Sequence, residues 1–193
     1  MARLPTFDDE SIDDARVQAG FDDMAARMGE VTENVRILAH KPLYVELIQN
    51  VSSAIDAPTE IDPVLKQLVE LKTARFTGCE YSIDLLEGCL LKKGVSEAKL
   101  HELDFYEEST LYDDRERLAL SFAEQMLLDA VDDSLFNEVR RTFSIVETLE
   151  LIVSVGLESF YSLLNRTLGL KPQNFRERAL AEADKPSSTA PAS

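Results

Sequence analysis

Helix start and stop signals recur along the chain, and they constrain its fold more than any other feature of the sequence. Asp62-Pro63 places a capping carboxylate before a proline at the first helical position, and Thr77-Gly78 stops the same segment. Ser144 and Glu147 have the spacing of a capping box ahead of a long apolar segment. No segment alternates apolar and polar residues over the length of a strand. The pattern therefore predicts an all-α fold.

The same signals predict how the chain is organised. Helices are expected over 9–28, 63–76 and 79–93, and others begin after Thr32, after Ser96 and near 113, 133 and 144. Residues 1–30 are interpreted as an N-terminal helical extension and 31–181 as one helical domain. Residues 182–193 are polar and rich in proline and serine, which predicts a disordered tail.

Charge and composition exclude several classes of partner. The chain has 20 Lys and Arg against 36 Asp and Glu, a formal net charge of -16 that repels nucleic acids and anionic membrane surfaces. Two cysteines are too few for a secreted disulfide framework, and no apolar segment has the length of a signal peptide core or a membrane span. We therefore expect a cytoplasmic protein. The absence of a phosphate-binding loop and of zinc-spaced Cys and His residues predicts no cofactor and no metal.

One segment carries a family signature. The residues VLKQLVELKTARFTGCEYSIDLL, at 64–86, resemble the signature of the carboxymuconolactone decarboxylase and AhpD-like superfamily. Residues 34–42, 93–96 and 163–166 are similar to other parts of that family, so the resemblance covers about 33–170. The resemblance implies an AhpD-like helical bundle that forms a single domain. It also implies a homo-oligomer, as a dimer, trimer or hexamer.

The resemblance also identifies candidate catalytic positions. Redox-active relatives have a glutamate twelve residues before a cysteine, a second cysteine three residues after it and a histidine four further on. This chain has Gln67, Cys79, Ser82 and Leu86 at those positions. Residues at i, i+3 and i+7 share a helix face, which is why such groups can meet. Ser82 cannot form a disulfide, and neither Gln67 nor Leu86 can carry a proton, so dithiol peroxide reduction is expected to be lost.

The cysteines leave two interpretations open. Cys79 follows Gly78 at a predicted helix start, where backbone N–H groups favour a thiolate, but it could also be a buried structural residue. Cys89 cannot replace the missing thiol. It lies ten residues along the same helix, a rise of about 15 Å, whereas a disulfide requires Cα atoms within about 7 Å.

Four further residues are candidates for binding a ligand beside the cysteine. They are Tyr81, Asp84, Leu86 and Glu70. Tyr81 is alternatively a core residue. Glu70 lies away from the apolar stripe of its helix, which also favours an exposed surface acid.

Three functions are consistent with these residues. The leading hypothesis is a diverged family member that binds or converts a small apolar or carbonyl compound. If it is an enzyme, it is a lyase or isomerase, or a single-cysteine peroxide reductase that uses Cys79. The third hypothesis is a structural subunit of an oligomer.

Overall fold

The computed structural model describes residues 2–7, 12–56 and 59–183, and this part of the chain is helical with no strand. It contains a short 3-10 helix (Glu102–Phe105) and ten α-helices, which confirms the all-α prediction. The helices are α1 (Ala15–Met28), α2 (Glu33–Leu38), α3 (Pro42–Asp56), α4 (Pro63–Thr77), α5 (Glu80–Lys92), α6 (Glu97–His101), α7 (Asp114–Leu127), α8 (Asp133–Thr142), α9 (Ile145–Leu168) and α10 (Phe175–Ala183). None of the helices in these ranges has the length and apolar composition to cross a membrane.

The predicted capping residues are confirmed at the helices that build the site. The Asp62 carboxylate accepts hydrogen bonds from the amides of Val64 and Leu65, each at 2.9 Å, and so begins α4. Gly78 ends α4 in the left-handed conformation, with a φ of +69°. Ser144 and Glu147 form a reciprocal capping box before α9, in which each side chain accepts a hydrogen bond from the other's amide.

Two predicted boundaries differ from the structure. The first helix begins at Ala15 rather than near residue 9, because the Asp14 carboxylate accepts a hydrogen bond from the amide of Arg16 and caps it there. Residues 8–11 lie outside the described residues. Near the other end, Glu182 and Ala183 of the predicted tail are the last residues of α10. The remainder of that tail, 184–193, is also outside the description.

The chain divides into two compact units. One unit comprises residues 1–60 together with 163–171, and the other comprises 61–162 together with 172–193. In the first unit α1 packs on α3, and Gly20 provides space for the side chain of Val45. A Cβ at residue 20 would lie 2.1 Å from a methyl carbon of Val45, so this helix pair requires glycine there.

The second unit contains the signature segment. Its α4 packs on α5 and on α7, and α5 packs on α10. Fully buried leucines from α4, α5, α7 and α9 form its core, namely Leu68, Leu71, Leu90, Leu120 and Leu151. The apolar area that they remove from water is the main contribution to the stability of this unit.

Helix α10 was not predicted, because the residues that hold it are on α5. The carboxylate of Asp84 accepts hydrogen bonds from the amides of Gln173 at 2.8 Å, Phe175 at 3.1 Å and Arg176 at 3.0 Å. Phe175 and Arg176 are the first two residues of α10, so Asp84 caps a helix that is distant in sequence. Gly88, one turn further along α5, lies against the backbone of Phe175.

Gly88→Ala should displace α10 from α5. The added Cβ would lie 2.8 Å from the carbonyl carbon and oxygen of Phe175, and backbone atoms cannot rotate away as a side chain can. We expect the free energy of unfolding to fall by about 1–3 kcal/mol, measured by urea titration. The control is Gly156→Ala in α9, where a Cβ would meet nothing within 4 Å. That control should be neutral or stabilise the protein by up to about 1 kcal/mol, and equal effects of the two changes would contradict the assigned packing.

Candidate functional site

Cys79 lies at the junction between α4 and α5. The left-handed Gly78 turns the chain, and the amide of Cys79 donates to the carbonyl of Ala74 at 2.9 Å. Cys79 is the N-cap residue of α5, and its carbonyl accepts a hydrogen bond from the amide of Ile83. The residue is only 1% exposed. The sulfur is therefore held at a helix start but is shielded from water.

Ser82 is the first partner of this thiol. It lies one turn along α5, is buried, and its hydroxyl oxygen accepts a hydrogen bond from the Cys79 thiol with an S to O distance of 3.3 Å. A serine hydroxyl can accept one hydrogen bond and donate another at the same time. Ser82 can therefore pass a proton from the thiol to a third group.

That third group is Glu158, a residue that the sequence interpretation missed. Glu158 projects from the buried face of α9, and its carboxylate accepts hydrogen bonds from the hydroxyls of Ser82 and of Ser162, the latter at 2.8 Å. The signal in the sequence is a single acid that directly follows the apolar segment from Leu151 to Leu157, with serines four residues away on both sides. Fully buried acids are rare, so an acid on a long apolar helix marks a candidate functional residue.

Burial changes the proton affinity of Glu158. The loss of hydration raises the pKa of the Glu158 carboxyl to about 8. Hydrogen bonds from the Ser162 and Ser82 hydroxyls lower this pKa, and the negative charge of Glu70 raises it further. At neutral pH the Glu158 carboxyl is therefore largely protonated, and it ionises in mildly alkaline solution. The carboxylate of such a group is a base of about the same strength as an ordinary thiolate.

A hydrogen-bonded chain runs from Cys79 through Ser82 to Glu158, and such a chain can serve as a proton relay. The sequence interpretation expected no base near Cys79, because Gln67 and Leu86 replace the groups that relatives use. The structure instead brings a base from α9, a helix outside the signature segment. The relay can accept the thiol proton when Glu158 is ionised and can return a proton when it is not.

The other catalytic candidate, Gln67, lies half-buried on α4. Its side-chain oxygen is inaccessible to solvent and accepts no hydrogen bond from any residue that the structure describes. Leu86 is 8% exposed and belongs to the apolar core of its unit. Leu86 can therefore contribute only an apolar wall to this region.

The candidate binding residues have different surroundings. Tyr81 is buried, and its ring makes an edge-to-face contact with Phe175, with ring centroids 6.3 Å apart. Asp84 is used as the cap of α10, so the structure gives it a structural role rather than a ligand-binding one. Glu70 is half-buried rather than an exposed surface acid.

Cys89 is free and half-buried. Burial raises the pKa of the Cys89 thiol, and the charge of Glu70 adds to this shift. Its thiol is therefore a poor nucleophile at neutral pH, consistent with the interpretation that Cys89 does not replace the missing second cysteine. Among the residues described, no group of three or more His, Cys, Asp and Glu side chains is arranged to hold a metal ion.

Comparisons with known proteins support the resemblance. Residues 42–125 match the Carboxymuconolactone decarboxylase family (CMD). The chain is 26% identical over 148 residues to the uncharacterized protein YnjA of Escherichia coli strain K12, covering 75% of this chain and 81% of that protein. It is 21% identical over 114 residues to the uncharacterized protein YdfG of Bacillus subtilis strain 168, covering 58% of this chain and 78% of that protein.

Solved structures have the same fold. The debrominase Bmp8 superposes with a TM-score of 0.80 at 18% identity, covering 94% of this chain and 98% of that one. A peroxidase-related protein from Ralstonia eutropha JMP134, described as an alkylhydroperoxidase AhpD core, also superposes with a TM-score of 0.80, at 15% identity. That comparison covers 91% of this chain and 94% of the other. The predicted carboxymuconolactone decarboxylase and AhpD-like fold is confirmed.

Proposed function

With a carboxymuconolactone decarboxylase family match over residues 42–125 as the premise, we propose that this chain is a single-cysteine thiol enzyme that reduces small peroxides. Cys79 is the nucleophile, Ser82 transfers its proton, and Glu158 is the base. The observation that carries the proposal is the hydrogen-bonded sequence from the Cys79 thiol through Ser82 to a carboxyl of raised pKa. A site that only binds a ligand, or a purely structural subunit, has no need of a base beside a thiol.

The reaction oxidises the sulfur of Cys79 with a hydroperoxide. The thiol proton moves to the Ser82 oxygen as the Ser82 proton moves to the ionised Glu158, which leaves a thiolate. The thiolate attacks the terminal oxygen of a hydroperoxide, an S–O bond forms, and the O–O bond breaks. Cys79 is oxidised to the sulfenic acid and the hydroperoxide is reduced. The departing alkoxide becomes an alcohol when it takes the proton returned from Glu158 through Ser82.

Regeneration requires a thiol from outside the chain. Ser82 has no sulfur, and Cys89 lies too far along α5 for a disulfide, so no residue of the signature can resolve the sulfenic acid. A first outside thiol forms a mixed disulfide with Cys79 and releases water. A second thiol then reduces this disulfide and restores the Cys79 thiol.

The surroundings of Cys79 restrict the substrate. The residue is 1% exposed and shares its unit with the buried side chains of Tyr81 and Leu86. A charged reagent would lose its hydration on approach, whereas hydrogen peroxide or an alkyl hydroperoxide is small and uncharged. We therefore expect uncharged peroxides to react faster than charged ones.

A second candidate is conversion of a small halogenated or otherwise apolar aromatic compound by the same thiol. One observation favours it: a cysteine-to-alanine variant of the similar debrominase Bmp8 has been solved in complex with 2,3,4-tribromopyrrole. Bromide release from tribromopyrrole in the presence of a thiol reductant, lost in Cys79→Ser, is the expected result for this candidate. If the protein turns over peroxide but releases no bromide, only the peroxidase proposal is supported.

The test is to follow peroxide consumption and to trap the sulfenic acid with dimedone. The wild-type protein should consume hydrogen peroxide continuously with a monothiol reductant and should acquire one dimedone adduct, located at Cys79 by peptide mass spectrometry. Cys79→Ser should abolish both, and the matched control Cys89→Ser should retain both. A wild-type protein without an adduct at Cys79, or with turnover that survives Cys79→Ser, would overturn the proposal.

Ser82→Cys should create a disulfide that the natural sequence lacks. The Ser82 oxygen is 3.3 Å from the Cys79 sulfur, so an added sulfur in its place requires only a small rotation to reach bonding distance. Under mild oxidant we expect two thiols of the variant to disappear while Cys89 remains free, measured by thiol titration and mass spectrometry. Ser109→Cys, at another buried serine, should keep all its thiols. Failure of the folded Ser82→Cys variant to form this bond would show that the register around Cys79 is wrong.

A further inference from the structure

Ser154 has a buried hydroxyl that the protein does not bond. It lies on the covered face of α9, one turn before Glu158, and is only 2% exposed. Its oxygen is inaccessible to solvent and makes no hydrogen bond with any of the residues that the structure describes. Other buried hydroxyls of this helix are used: Thr148 donates to the carbonyl four residues before it at 2.7 Å, and Ser162 donates to Glu158. Because an unbonded buried hydroxyl is costly, Ser154 indicates a partner from outside the chain.

Gln67 on α4 carries the second polar group of this kind. Its side-chain oxygen is closed off from solvent and accepts no hydrogen bond within the described part of the chain. An amide oxygen can only accept a hydrogen bond, whereas the hydroxyl of Ser154 can also donate one. The two groups together are therefore complementary to a molecule that has both an O–H donor and an oxygen acceptor.

Two interactions show how α4 lies relative to α9. The amide of Ile61, just before α4, donates to the carboxylate of Glu150 on α9 at 2.9 Å. Further along, Glu70 of α4 is near enough to Glu158 for its negative charge to raise the pKa of that carboxyl. Buried apolar residues of both helices also belong to one hydrophobic core. Both interactions join residues in ascending order, so α4 and α9 run in the same direction.

This direction places Gln67 and Ser154 at the same level of the two helices. Gln67 precedes Glu70 by three residues and Ser154 precedes Glu158 by four, which is about one helical turn in each case. One turn back from the pair of glutamates therefore leads to both groups, which we call the polar subsite. Since Glu158 also accepts the Ser82 hydroxyl, the polar subsite adjoins the proposed relay.

We propose that Ser154 and Gln67 bind the hydroperoxide group of the substrate that Cys79 reduces. This inference rests on the proposed function. The terminal O–H of the hydroperoxide donates to the Gln67 oxygen, and the inner oxygen accepts a hydrogen bond from the Ser154 hydroxyl. As the O–O bond breaks, negative charge develops on the inner oxygen and strengthens the bond from Ser154. Both residues keep their own protons, because the proton that completes the alcohol comes from Glu158.

The polar subsite also indicates the class of peroxide. One uncharged donor and one uncharged acceptor suit hydrogen peroxide and alkyl hydroperoxides. A dialkyl peroxide has no O–H and would leave the Gln67 oxygen unbonded, which costs binding free energy. We therefore expect hydroperoxides to be the substrates and dialkyl peroxides to be excluded.

The test compares the oxidation of Cys79 by hydrogen peroxide with its alkylation by iodomethane, both followed by mass spectrometry. Iodomethane is also small and uncharged, but it has neither an O–H group nor an oxygen. Ser154→Ala should slow the peroxide reaction by about tenfold, and Gln67→Leu should slow it by roughly three- to tenfold, as expected for the loss of one hydrogen bond. Both variants should react with iodomethane at the wild-type rate.

The matched controls are Ser159→Ala and Gln125→Leu. Ser159 is also on α9, but its hydroxyl donates to the carbonyl of Val155 at 2.7 Å, and Gln125 is a half-buried glutamine of α7. Both controls should keep the wild-type rates. In urea titration Ser154→Ala should be at least as stable as the wild type, because it removes an unbonded buried hydroxyl, whereas a structural serine would cause a loss.

Three outcomes would contradict the inference. If neither Ser154→Ala nor Gln67→Leu slows the peroxide reaction, the two groups bind water only. If the variants slow the peroxide and iodomethane reactions equally, the change acts on Cys79 in general and not on a bound hydroperoxide. Both results leave the proposed function intact, because the wild type still reacts with peroxide. A wild type whose Cys79 does not react with hydrogen peroxide would instead contradict the proposed function, and the inference with it.

Discussion

Glu158→Gln should slow the oxidation of Cys79 by hydrogen peroxide by about 10²-fold at pH 8, because a positioned general base contributes about that factor or more. Glutamine keeps the shape of the side chain and can still accept hydrogen bonds from Ser82 and Ser162, but it cannot take the thiol proton. The rate constant is measured from the appearance of the dimedone adduct at Cys79. The control is Glu138→Gln on the exposed face of α8, which removes the same charge and should leave the rate unchanged.

The pH dependence of the same rate distinguishes a base from a structural residue. Cys79 reacts when Glu158 is ionised and can accept the thiol proton. Glu158 ionises with a pKa of about 8. At pH 7 a carboxyl of that pKa is ionised in about one molecule in ten, so the wild-type rate should rise roughly tenfold between pH 7 and pH 9 and then level off. The Glu158→Gln variant should lack this rise. If the oxidation rate of the variant has the same pH dependence as that of the wild type, whatever its magnitude, Glu158 is not the base.

Glu158→Gln should also change how the stability of the protein depends on pH. In the unfolded chain Glu158 ionises near 4.5, and in the folded protein it ionises at about 8 because burial disfavours the charged form. Between these values the folded protein holds a proton that the unfolded chain has released. The free energy of unfolding of the wild type should therefore fall as the pH rises from about 4.5 to about 8, by a few kcal/mol in total.

The measurement is a series of urea titrations of wild type and variant at pH 5, 7 and 9. The difference between the two proteins cancels the titration of all other groups. At pH 5 we expect them to be similar, since both side chains are then neutral. At pH 9 the variant should be more stable by a few kcal/mol, because it avoids a buried charge. If the difference in the free energy of unfolding between variant and wild type is the same at pH 5, 7 and 9, Glu158 is in contact with water and its burial is contradicted.

The sequence by itself determined the features that depend on neighbouring residues. Asp62, Ser144 and Glu147 were identified as caps because a capping side chain bonds amides only two or three residues away. The relation between Cys79 and Ser82 was also predictable, since residues three apart on a helix face each other. The resemblance of the segment around them to a family signature predicted the helical fold.

Tertiary structure decided everything that joins distant segments. Glu158 and Ser82 are far apart in sequence, and only the tertiary fold brings them within hydrogen-bonding distance. The raised pKa of Glu158 comes from burial, which no local pattern encodes. Asp84 resembled a ligand-binding residue beside the cysteine, yet its carboxylate caps α10, a helix whose own sequence did not predict it. The sequence identifies α9 only as a long apolar segment, and the packing of the other helices leaves one row of its apolar residues exposed. An apolar side chain favours burial, but only the arrangement of the other helices determines which face of α9 is covered.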